Sequence, residues 1–153
     1  MKSTTAKMRF VLRFVRSGNW LEKAMLLAGA IGVTLAIYLS VRPYPAVTTV
    51  RWLPRFIAVW ADHHGRFCNF PAYAMLAVPF LMVTTNTLRR ACVVALLVVF
   101  VALLELVQLW IPTRVADLRD IFWGGAGILA VWGIFEAVIK LRLVTSAQSG
   151  AGN

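Results

Sequence analysis

Glu-Leu-Val-Gln-Leu-Trp-Ile-Pro-Thr-Arg-Val-Ala-Asp-Leu-Arg-Asp, residues 105–120, is the stretch that decides the fold of this chain. It closes one long apolar run, and a second apolar run begins directly after it. A carboxylate at the centre of a membrane helix costs about 2.5–3.5 kcal/mol, so Glu105 is expected to face a protein interior. The stretch therefore predicts a turn between two membrane helices, with one polar cluster at a membrane face.

The composition supports a small membrane protein. The 153 residues are 60% hydrophobic and 14% charged, which is less charge than soluble domains carry. A net charge of +10 is compatible with nucleic-acid binding. However, the Lys and Arg residues flank the apolar runs, as they do beside membranes, so no nucleic-acid partner is predicted.

Four apolar runs have the length of membrane spans. At about 1.5 Å per residue they reach roughly 27–33 Å, close to the thickness of a hydrocarbon core. They lack the strict alternation of apolar and polar residues that is typical of β-strands. The first run is long for the apolar part of a signal peptide and is followed by no cleavage site, so it is interpreted as an uncleaved membrane anchor. The predicted fold is all-α: a polytopic four-transmembrane-helix bundle covering residues 24–139. The predicted spans are residues 24–41, 67–87, 91–112 and 121–139.

Two segments outside these spans have amphipathic patterns. In residues 1–23, Arg9, Arg13 and Arg16 share one helical face, which favours a basic helix on the cytoplasmic leaflet over an irregular basic tail. The loop after the first span carries apolar residues at i, i+3, i+4 and i+7, which predicts an interfacial helix on the outer leaflet; a lid or a plain connector remains open. These residues are Leu53, Phe56, Ile57 and Trp60.

The distribution of Lys and Arg predicts the orientation. Ten of these residues lie on the side of the two termini and six on the opposite side. Because positive charge is enriched on the cytoplasmic side, both termini are expected in the cytoplasm, and residues 105–120 are expected to face outward. Residues 140–153 are predicted to form a flexible cytoplasmic tail, because Thr145–Asn153 is small and polar.

Small residues recur along the first and fourth spans. They allow helix backbones to approach closely, so they predict packing within the bundle or a docking face for another membrane subunit. The first set is Ala24, Ala28, Gly32, Ala36 and Ser40, and the second is Ala126, Ala130, Gly133 and Ala137.

The remaining reactive side chains give weak signals. Cys68 and Cys92 open spans at opposite faces, too far apart for a disulfide. His63 and His64 have no third ligand at a suitable spacing, so no metal and no other cofactor is predicted. The sequence also lacks a phosphate-binding glycine loop and a serine nucleophile motif.

The polar cluster has two interpretations. Glu105 and Gln108 share a helix face, and Asp117 and Asp120 have the spacing of acids at a helix N-terminus. In one interpretation Glu105 pairs with Arg114 and the aspartates only cap a helix. In the other, the converging groups bind a ligand or take part in catalysis. The sequence leaves both open.

A family resemblance adds to this pattern. The spacing Glu105-x-x-Gln108-x-x-x-Pro112-x-Arg114-x-x-Asp117-x-x-Asp120, followed by Gly127, resembles the VanZ-like family of small polytopic envelope membrane proteins. A second, more divergent block covers Arg66–Tyr73. The family usually carries an acid, a histidine and an asparagine where this chain has Gly65, Asn69 and Gly124. The resemblance covers roughly residues 66–139.

The resemblance implies a multi-pass protein of the bacterial cytoplasmic membrane, with a family association with resistance to a glycopeptide antibiotic. Membrane lipids, and a lipid-linked or glycan head group, are the expected partners of an outer-face pocket. The alternatives are an accessory or assembly subunit of a larger membrane complex, with a structural cluster, and an enzyme acting on an envelope lipid. The missing histidine argues against catalysis. The candidate ligand-binding residues are Glu105, Gln108, Arg114, Asp117, Asp120, Arg66, Asn69 and Tyr73.

Overall fold

The computed structural model describes residues 19–44 and 46–151, and within these ranges the chain is helical and contains no β-strand. The prediction of an all-α fold is confirmed. Two 3-10 turns, Val47–Thr49 and Gly65–Cys68, lie on either side of the second helix. The α-helices of the described ranges are α1 (Asn19–Val41), α2 (Arg55–His64), α3 (Asn69–Val83), α4 (Thr87–Gln108) and α5 (Leu118–Ala151).

Two helices of the described part are long and apolar enough to cross a membrane. They are Trp20–Val41 within α1, with a mean hydropathy of 2.1, and α4, with a mean hydropathy of 2.7. A third crossing results if α2 and α3, which meet at a bend of 117°, count as one bent span. The length and composition of these helices indicate a membrane protein.

The contact between α3 and α5 forms the centre of the fold. α3 also packs against α1, and α4 packs against α5. Gly127 of α5 lies directly against the α3 backbone, where a Cβ atom would come within 3.0 Å of the Phe70 carbonyl carbon and 3.2 Å of the Ala74 nitrogen. The buried core consists of Tyr73, Leu76, Ala77, Leu81, Val94, Leu97, Val101, Leu104 and Ile128.

The turn between α3 and α4 lies earlier than the sequence analysis placed it. Asn86 caps α4, because its side-chain oxygen accepts hydrogen bonds from the backbone N–H groups of Leu88 at 2.8 Å and Arg89 at 3.4 Å. The helix preceding this turn therefore ends at Val83 instead of residue 87. The next helix begins at Thr87 instead of residue 91, so two arginines predicted to lie in the loop belong to its first turn.

The other helix ends also differ from the predicted spans. α1 extends back to Asn19, through the flanking charges, whereas residues 1–18, including the predicted basic amphipathic segment, lie outside the described residues. α4 ends at Gln108 and not at Pro112. Beyond it the backbone forms 3-10-type hydrogen bonds, for example from the Leu109 N–H to the Leu106 carbonyl at 3.2 Å.

The fourth predicted span continues into a much longer helix. α5 extends to Ala151, so most of the tail predicted to be flexible, residues 140–153, is helical. No proline interrupts it, and the hydroxyls of Thr145 and Ser146 donate back to carbonyls one turn earlier, at 2.9 and 2.8 Å. At about 1.5 Å per residue, 34 residues make a helix longer than a membrane core is thick.

The connection between α1 and α3 contains the helix predicted at Leu53–Trp60, here α2. Asp62 ties it to the preceding 3-10 turn, accepting hydrogen bonds from the N–H groups of Val47 at 2.5 Å and Thr48 at 3.0 Å. Partial burial alone would raise the pKa of Asp62, but these bonds and the Arg42 charge outweigh it and hold the pKa below its usual value.

Candidate functional site

Glu105 and Gln108 lie on one face of the last turns of α4, and both side chains are only 7% exposed. Their three-residue spacing puts them side by side on the helix, as predicted. The Gln108 side-chain amide makes no hydrogen bond with any residue that the structure describes. The amide nitrogen and oxygen are not fully closed off from solvent, so they can bind a polar group brought to Gln108 from outside the fold.

Glu105 joins the end of α4 to the start of α5. Its Oε2 atom accepts a hydrogen bond from the backbone N–H of Asp117 at 3.3 Å. Asp117 in turn caps α5, because its Oδ1 atom accepts from the backbone N–H of Arg119 at 2.9 Å, and Asp120 lies in the first turn. The predicted helix N-terminus at Asp117 and Asp120 is therefore present.

Arg114 binds the end of α1 and not the Glu105 carboxylate. Its Nη2 atom donates to the Leu39 carbonyl at 2.5 Å, and its Nε atom donates to the Arg42 carbonyl at 3.2 Å. Beside it, the Thr113 hydroxyl donates to the Pro43 carbonyl at 2.5 Å. The Glu105 and Arg114 side chains form no ion pair within 4 Å, so the direct pairing considered from the sequence is wrong; the two charges act on each other from further away.

Charges of both signs act on the Arg114 guanidinium. Burial, followed by the nearby Arg42 guanidinium, lowers the pKa of Arg114, while the Glu105 and Asp120 charges oppose this shift. Arg114 keeps its charge, because the pKa of a guanidinium starts far above neutral pH. The loop between α4 and α5 therefore holds a half-buried cation next to buried acids, at the end of α1.

Tyr73 and Asn69 reach the same region from the first turns of α3. Tyr73 is 8% exposed and lies beside Ser40 of α1, and the Glu105 and Asp120 carboxylates are its electrostatic neighbours. Gly124 makes room for this ring, since a Cβ atom at position 124 would lie 2.7 Å from the Tyr73 ring atom Cδ2. The asparagine that the VanZ-like pattern carries at this position would therefore not fit beside Tyr73.

An apolar groove leads away from this cluster along α1 and α3. Its volume is about 630 Å³, and its walls are apolar except at one end, where Ser40, Asn69 and Tyr73 lie. Small residues of the predicted α1 stripe make the space, because Ala28, Gly32 and Ala36 line it. From the sequence, these residues were predicted only to pack within the bundle or to dock another subunit.

The structure thus brings together most, but not all, of the candidate residues. Glu105 and Asp117 are hydrogen-bonded. The charges of Asp120 and Arg114 act on the same carboxylate. Gln108 is buried one turn further along α4, whereas Asn69 lies at the groove end. The Arg66 backbone is part of the 3-10 turn Gly65–Cys68, but its side chain is outside the described part of the chain.

The histidine and cysteine side chains form no second cluster. His63 and His64 each contact a backbone carbonyl of α2, at 2.9 Å, and both are exposed. Cys68 and Cys92 are free thiols, near opposite ends of α3. Across the described ranges, no three His, Cys, Asp or Glu residues are grouped for a metal ion.

An ion pair that the sequence did not predict lies at the other end of α4 from Glu105. Arg90 of α4 donates from Nη1 to the Glu136 carboxylate of α5 at 2.6 Å, and the two side chains are 6% and 16% exposed. Arg90 also donates to the carbonyls of Thr84 and Thr85, at 2.8 and 2.9 Å. Glu136 is the only charged residue within the fourth predicted span. Because an isolated charge in such a span is costly, the sequence already indicated that Glu136 needs a partner.

Comparisons with protein-family models, with curated proteins and with solved structures give no match to this chain. The likeness to the VanZ-like family thus rests on the motif residues alone. The features observed here are a helical chain with helices long and apolar enough to cross a membrane, a buried polar cluster where α4 meets α5, and an apolar groove that begins beside it.

Proposed function

We propose that this chain is a VanZ-like protein of the bacterial cytoplasmic membrane whose outer-face cluster binds a lipid-linked or glycan head group. One observation carries the proposal: Gln108 is only 7% exposed, its amide hydrogen-bonds no described residue, and the amide atoms still keep access from outside the fold. If the end of α4 served only the fold, an apolar residue at position 108 would stabilise the protein more than glutamine does. A pocket floor that binds hydroxyl or amide groups needs such a side chain.

The other groups of the cluster have complementary roles in this proposal. Glu105 accepts hydrogen bonds from sugar hydroxyls or amides, and Arg114 attracts a phosphate or carboxylate. Asp117 and Asp120 hold the loop against α5, as the cap at Asp117 supports. The proposal is of binding and not of catalysis, because Asn69 stands where the resembled pattern has a histidine, the best candidate for a general acid–base.

The membrane arrangement belongs to the same proposal. α1, α3, α4 and the first part of α5 form a four-span bundle, and Arg90 neutralises the one carboxylate that α5 carries between residues 121 and 139. α2 lies on the outer leaflet, which agrees with the exposure of Phe56, at 76%, and Trp60, at 48%. The charge bias supports a cytoplasmic position for both termini.

This orientation is tested by labelling single cysteines in intact cells. In a variant without Cys68 and Cys92, Val115→Cys is expected to react with a membrane-impermeant maleimide, because Val115 is 87% exposed in the loop between α4 and α5. Leu88→Cys, at the 74% exposed Leu88 near the opposite end of α4, is expected to react only after permeabilisation. The reverse pattern would overturn the outward orientation of the cluster.

The function is tested with Gln108→Leu and Glu105→Gln. Gln108→Leu removes an amide without breaking a hydrogen bond to any described residue, so the free energy of unfolding should stay the same or rise by about 1 kcal/mol. Glu105→Gln keeps an oxygen that can accept from the Asp117 N–H, so it should also fold. Both are expected to lose an amphiphile that copurifies with the wild-type protein in mild detergent, as read by native mass spectrometry.

The control for this experiment is Arg89→Gln, an exposed change at the other end of α4 that should retain the amphiphile. Equal retention by wild type and both cluster variants would refute the binding role. A protein subunit that copurifies at a fixed ratio with every variant, without any amphiphile, would favour the accessory-subunit alternative instead.

A further inference from the structure

One face of α2 combines exposed apolar and basic side chains. α2 packs mainly against the two 3-10 turns beside it, which leaves the opposite side of the helix open. Because residues three and four apart share a helix face, Phe56, Val59 and Trp60 form the apolar middle of this side, with Arg55 at one edge. The outward face of α2 is the single surface formed by Arg55, Phe56, Val59, Trp60, His63 and His64.

The charges on and beside this face are basic. Arg55, and Arg51 just before the helix, are exposed, and so are both histidines. Asp62 is the only acid between residues 42 and 72. Its carboxylate accepts hydrogen bonds from the Val47 and Thr48 N–H groups of the first 3-10 turn, so it is already bound within the protein. This distribution of charge favours an anionic partner for the outward face.

The position of α2 in the chain selects lipid as this partner. α2 follows the apolar helix α1, and it meets α3 at a bend of 117°, closer to perpendicular than to parallel. When α3 crosses a membrane, α2 therefore lies at the membrane surface. Helices that bind in this plane carry aromatic residues on one face and basic residues beside them, as α2 does. Because the chain holds α2 beside the lipid head groups, their local concentration is high.

His63 and His64 are well placed to carry a positive charge. Both lie in the last turn of α2, where the carbonyl end of the helix dipole favours cations. The Nδ1 atom of each ring lies 2.9 Å from a backbone carbonyl, which can only accept, so the neutral ring keeps its proton on Nδ1 and takes a second on Nε2. The His64 ring also stacks on Trp60, with centroids 4.8 Å apart, and an indole face attracts a cation.

The elements packed against α2 contribute few other charged groups. The first 3-10 turn contains no charged residue, but Arg42 donates to its Thr49 hydroxyl. The second turn contains Arg66, whose side chain is outside the described part of the chain, and Cys68, whose thiol donates to a carbonyl of α2. Within α2 the other charged residues are Arg55 and Asp62. Since the Asp62 carboxylate is bound to the first turn, a charge gained by the histidines remains available to the lipid.

We propose that the outward face of α2 binds anionic lipid head groups, and that proton uptake by His63 and His64 strengthens this binding. Phe56 and Trp60 enter the interface, while Arg55 meets the lipid phosphates. Histidine side chains change their charge between about pH 8 and pH 5, so the attachment tightens as the outer side becomes more acidic. The inference uses the proposed position of α2 on the outer leaflet and is independent of what the cluster around Glu105 binds.

The first test measures amide hydrogen exchange of the whole wild-type protein in two kinds of nanodisc. One contains phosphatidylcholine alone, and the other also contains phosphatidylglycerol. Rates are normalised to an unstructured peptide at the same pH. Each positive charge near an anionic surface changes binding roughly fivefold, so at pH 7.5 the α2 amides should exchange roughly fivefold more slowly with phosphatidylglycerol. At pH 5.5 the difference should grow by roughly another fivefold or more. The α4 amides should not differ between the discs.

Two results of this test would contradict the proposal. Equal exchange of α2 in the two discs at both pH values would overturn anionic-lipid binding and assign the face to a neutral interface or to another protein. An equal effect of pH in both discs would show that the histidines act on α2 itself, which would overturn their role in lipid binding.

The second test removes the basic groups one kind at a time. His63→Gln combined with His64→Gln should keep the preference for phosphatidylglycerol at pH 7.5 and lose the further gain at pH 5.5. Arg55→Gln should weaken the preference at both pH values by roughly fivefold. Arg119→Gln is the matched control, because Arg119 is an exposed cation near the same end of the bundle but outside α2, and it should change neither.

The variants separate the two parts of the proposal. If the double histidine variant keeps the full gain at pH 5.5, the histidines do not strengthen lipid binding. If Arg119→Gln and Arg55→Gln weaken the preference equally, the lipid responds to the overall charge of the protein, and the outward face of α2 is not a binding surface. The amphiphile lost in Gln108→Leu and the exchange of α2 report on separate sites, so the proposed head-group site and the α2 surface can fail independently.

Discussion

Gly127→Ala is expected to lower the free energy of unfolding by about 3 kcal/mol, one of the two largest effects anticipated for a single change in this chain. The added Cβ would collide with the Phe70 carbonyl oxygen and lie 3.0 Å from the Phe70 carbonyl carbon. Overpacking usually costs about 1–3 kcal/mol, and the upper end applies here because the obstacle is helix backbone, which cannot rotate away as a side chain can. α3 and α5 would have to separate.

The measurement is unfolding in detergent, followed by circular dichroism. The matched control is Gly133→Ala in the same helix, where an added Cβ meets no atom within 4 Å. Alanine is the better helix former, so this control should be neutral or stabilise by up to about 1 kcal/mol. Equal behaviour of the two variants would show that α3 and α5 do not touch at Gly127.

This contact marks one limit of what the sequence could predict. The repeat of small residues on the fourth predicted span pointed to a face containing Gly133, where an added Cβ would meet no atom within 4 Å. The close approach is made by Gly124 and Gly127 instead. Periodicity shows that a helix has a smooth side; which glycine meets a neighbour depends on the rotation of two helices about their axes, which one sequence does not determine.

The helices themselves were easier to predict than their ends. Long apolar runs gave the existence and type of α1, α3, α4 and α5, because an apolar segment of this length favours a helix, which satisfies its backbone hydrogen bonds internally. Their ends depend on local hydrogen bonds, such as the Asn86 cap, which hydropathy does not detect. Because Asn86 caps α4, two arginines that were expected in a loop lie in the first turn of this helix.

For the candidate site, the sequence identified the residues but not their partners. The three-residue spacings placed Glu105 beside Gln108 and Asp117 at a helix N-terminus, and both placements are present. The pairing of Glu105 with Arg114 was inferred from charge alone. In the structure Glu105 accepts from a backbone N–H, and Arg114 donates to the carbonyls of Leu39, in α1, and Arg42, just after it. Contacts of this kind join segments that are separate in the sequence.

Arg90→Gln is the second change expected to have a large effect. Arg90 of α4 contacts two other elements: the α3–α4 turn, through the Thr84 and Thr85 carbonyls, and α5, through Glu136 and the Phe135 ring, whose centroid lies 5.5 Å from Arg90 Cζ. Removing its charge leaves a carboxylate without its counter-charge in a largely buried position. Breaking a buried pair from one side is strongly destabilising, so Arg90→Gln is expected to lower the free energy of unfolding clearly more than the same change at an exposed arginine, although Glu136 keeps some access to solvent.

A second substitution separates the charge from the hydrogen bonds. Adding Glu136→Gln to Arg90→Gln removes the unpaired carboxylate, so the double variant should recover part of the lost stability. Recovery should be incomplete, because Thr84 and Thr85 would still lack the guanidinium that binds their carbonyls. Arg90→Lys should fall between wild type and Arg90→Gln, since an ammonium group keeps the charge but cannot reach three acceptors with a planar fork.

The neighbouring Arg89 provides the control, because it is exposed and occupies the same first turn of α4. Arg89→Gln removes the same charge from the same end of the helix and should change the free energy of unfolding by no more than about 0.5 kcal/mol. All four variants are compared by detergent unfolding under one set of conditions. If Arg89→Gln and Arg90→Gln destabilise equally, both arginines act only as membrane-flanking charges, and the Arg90–Glu136 pair does not hold α4 to α5.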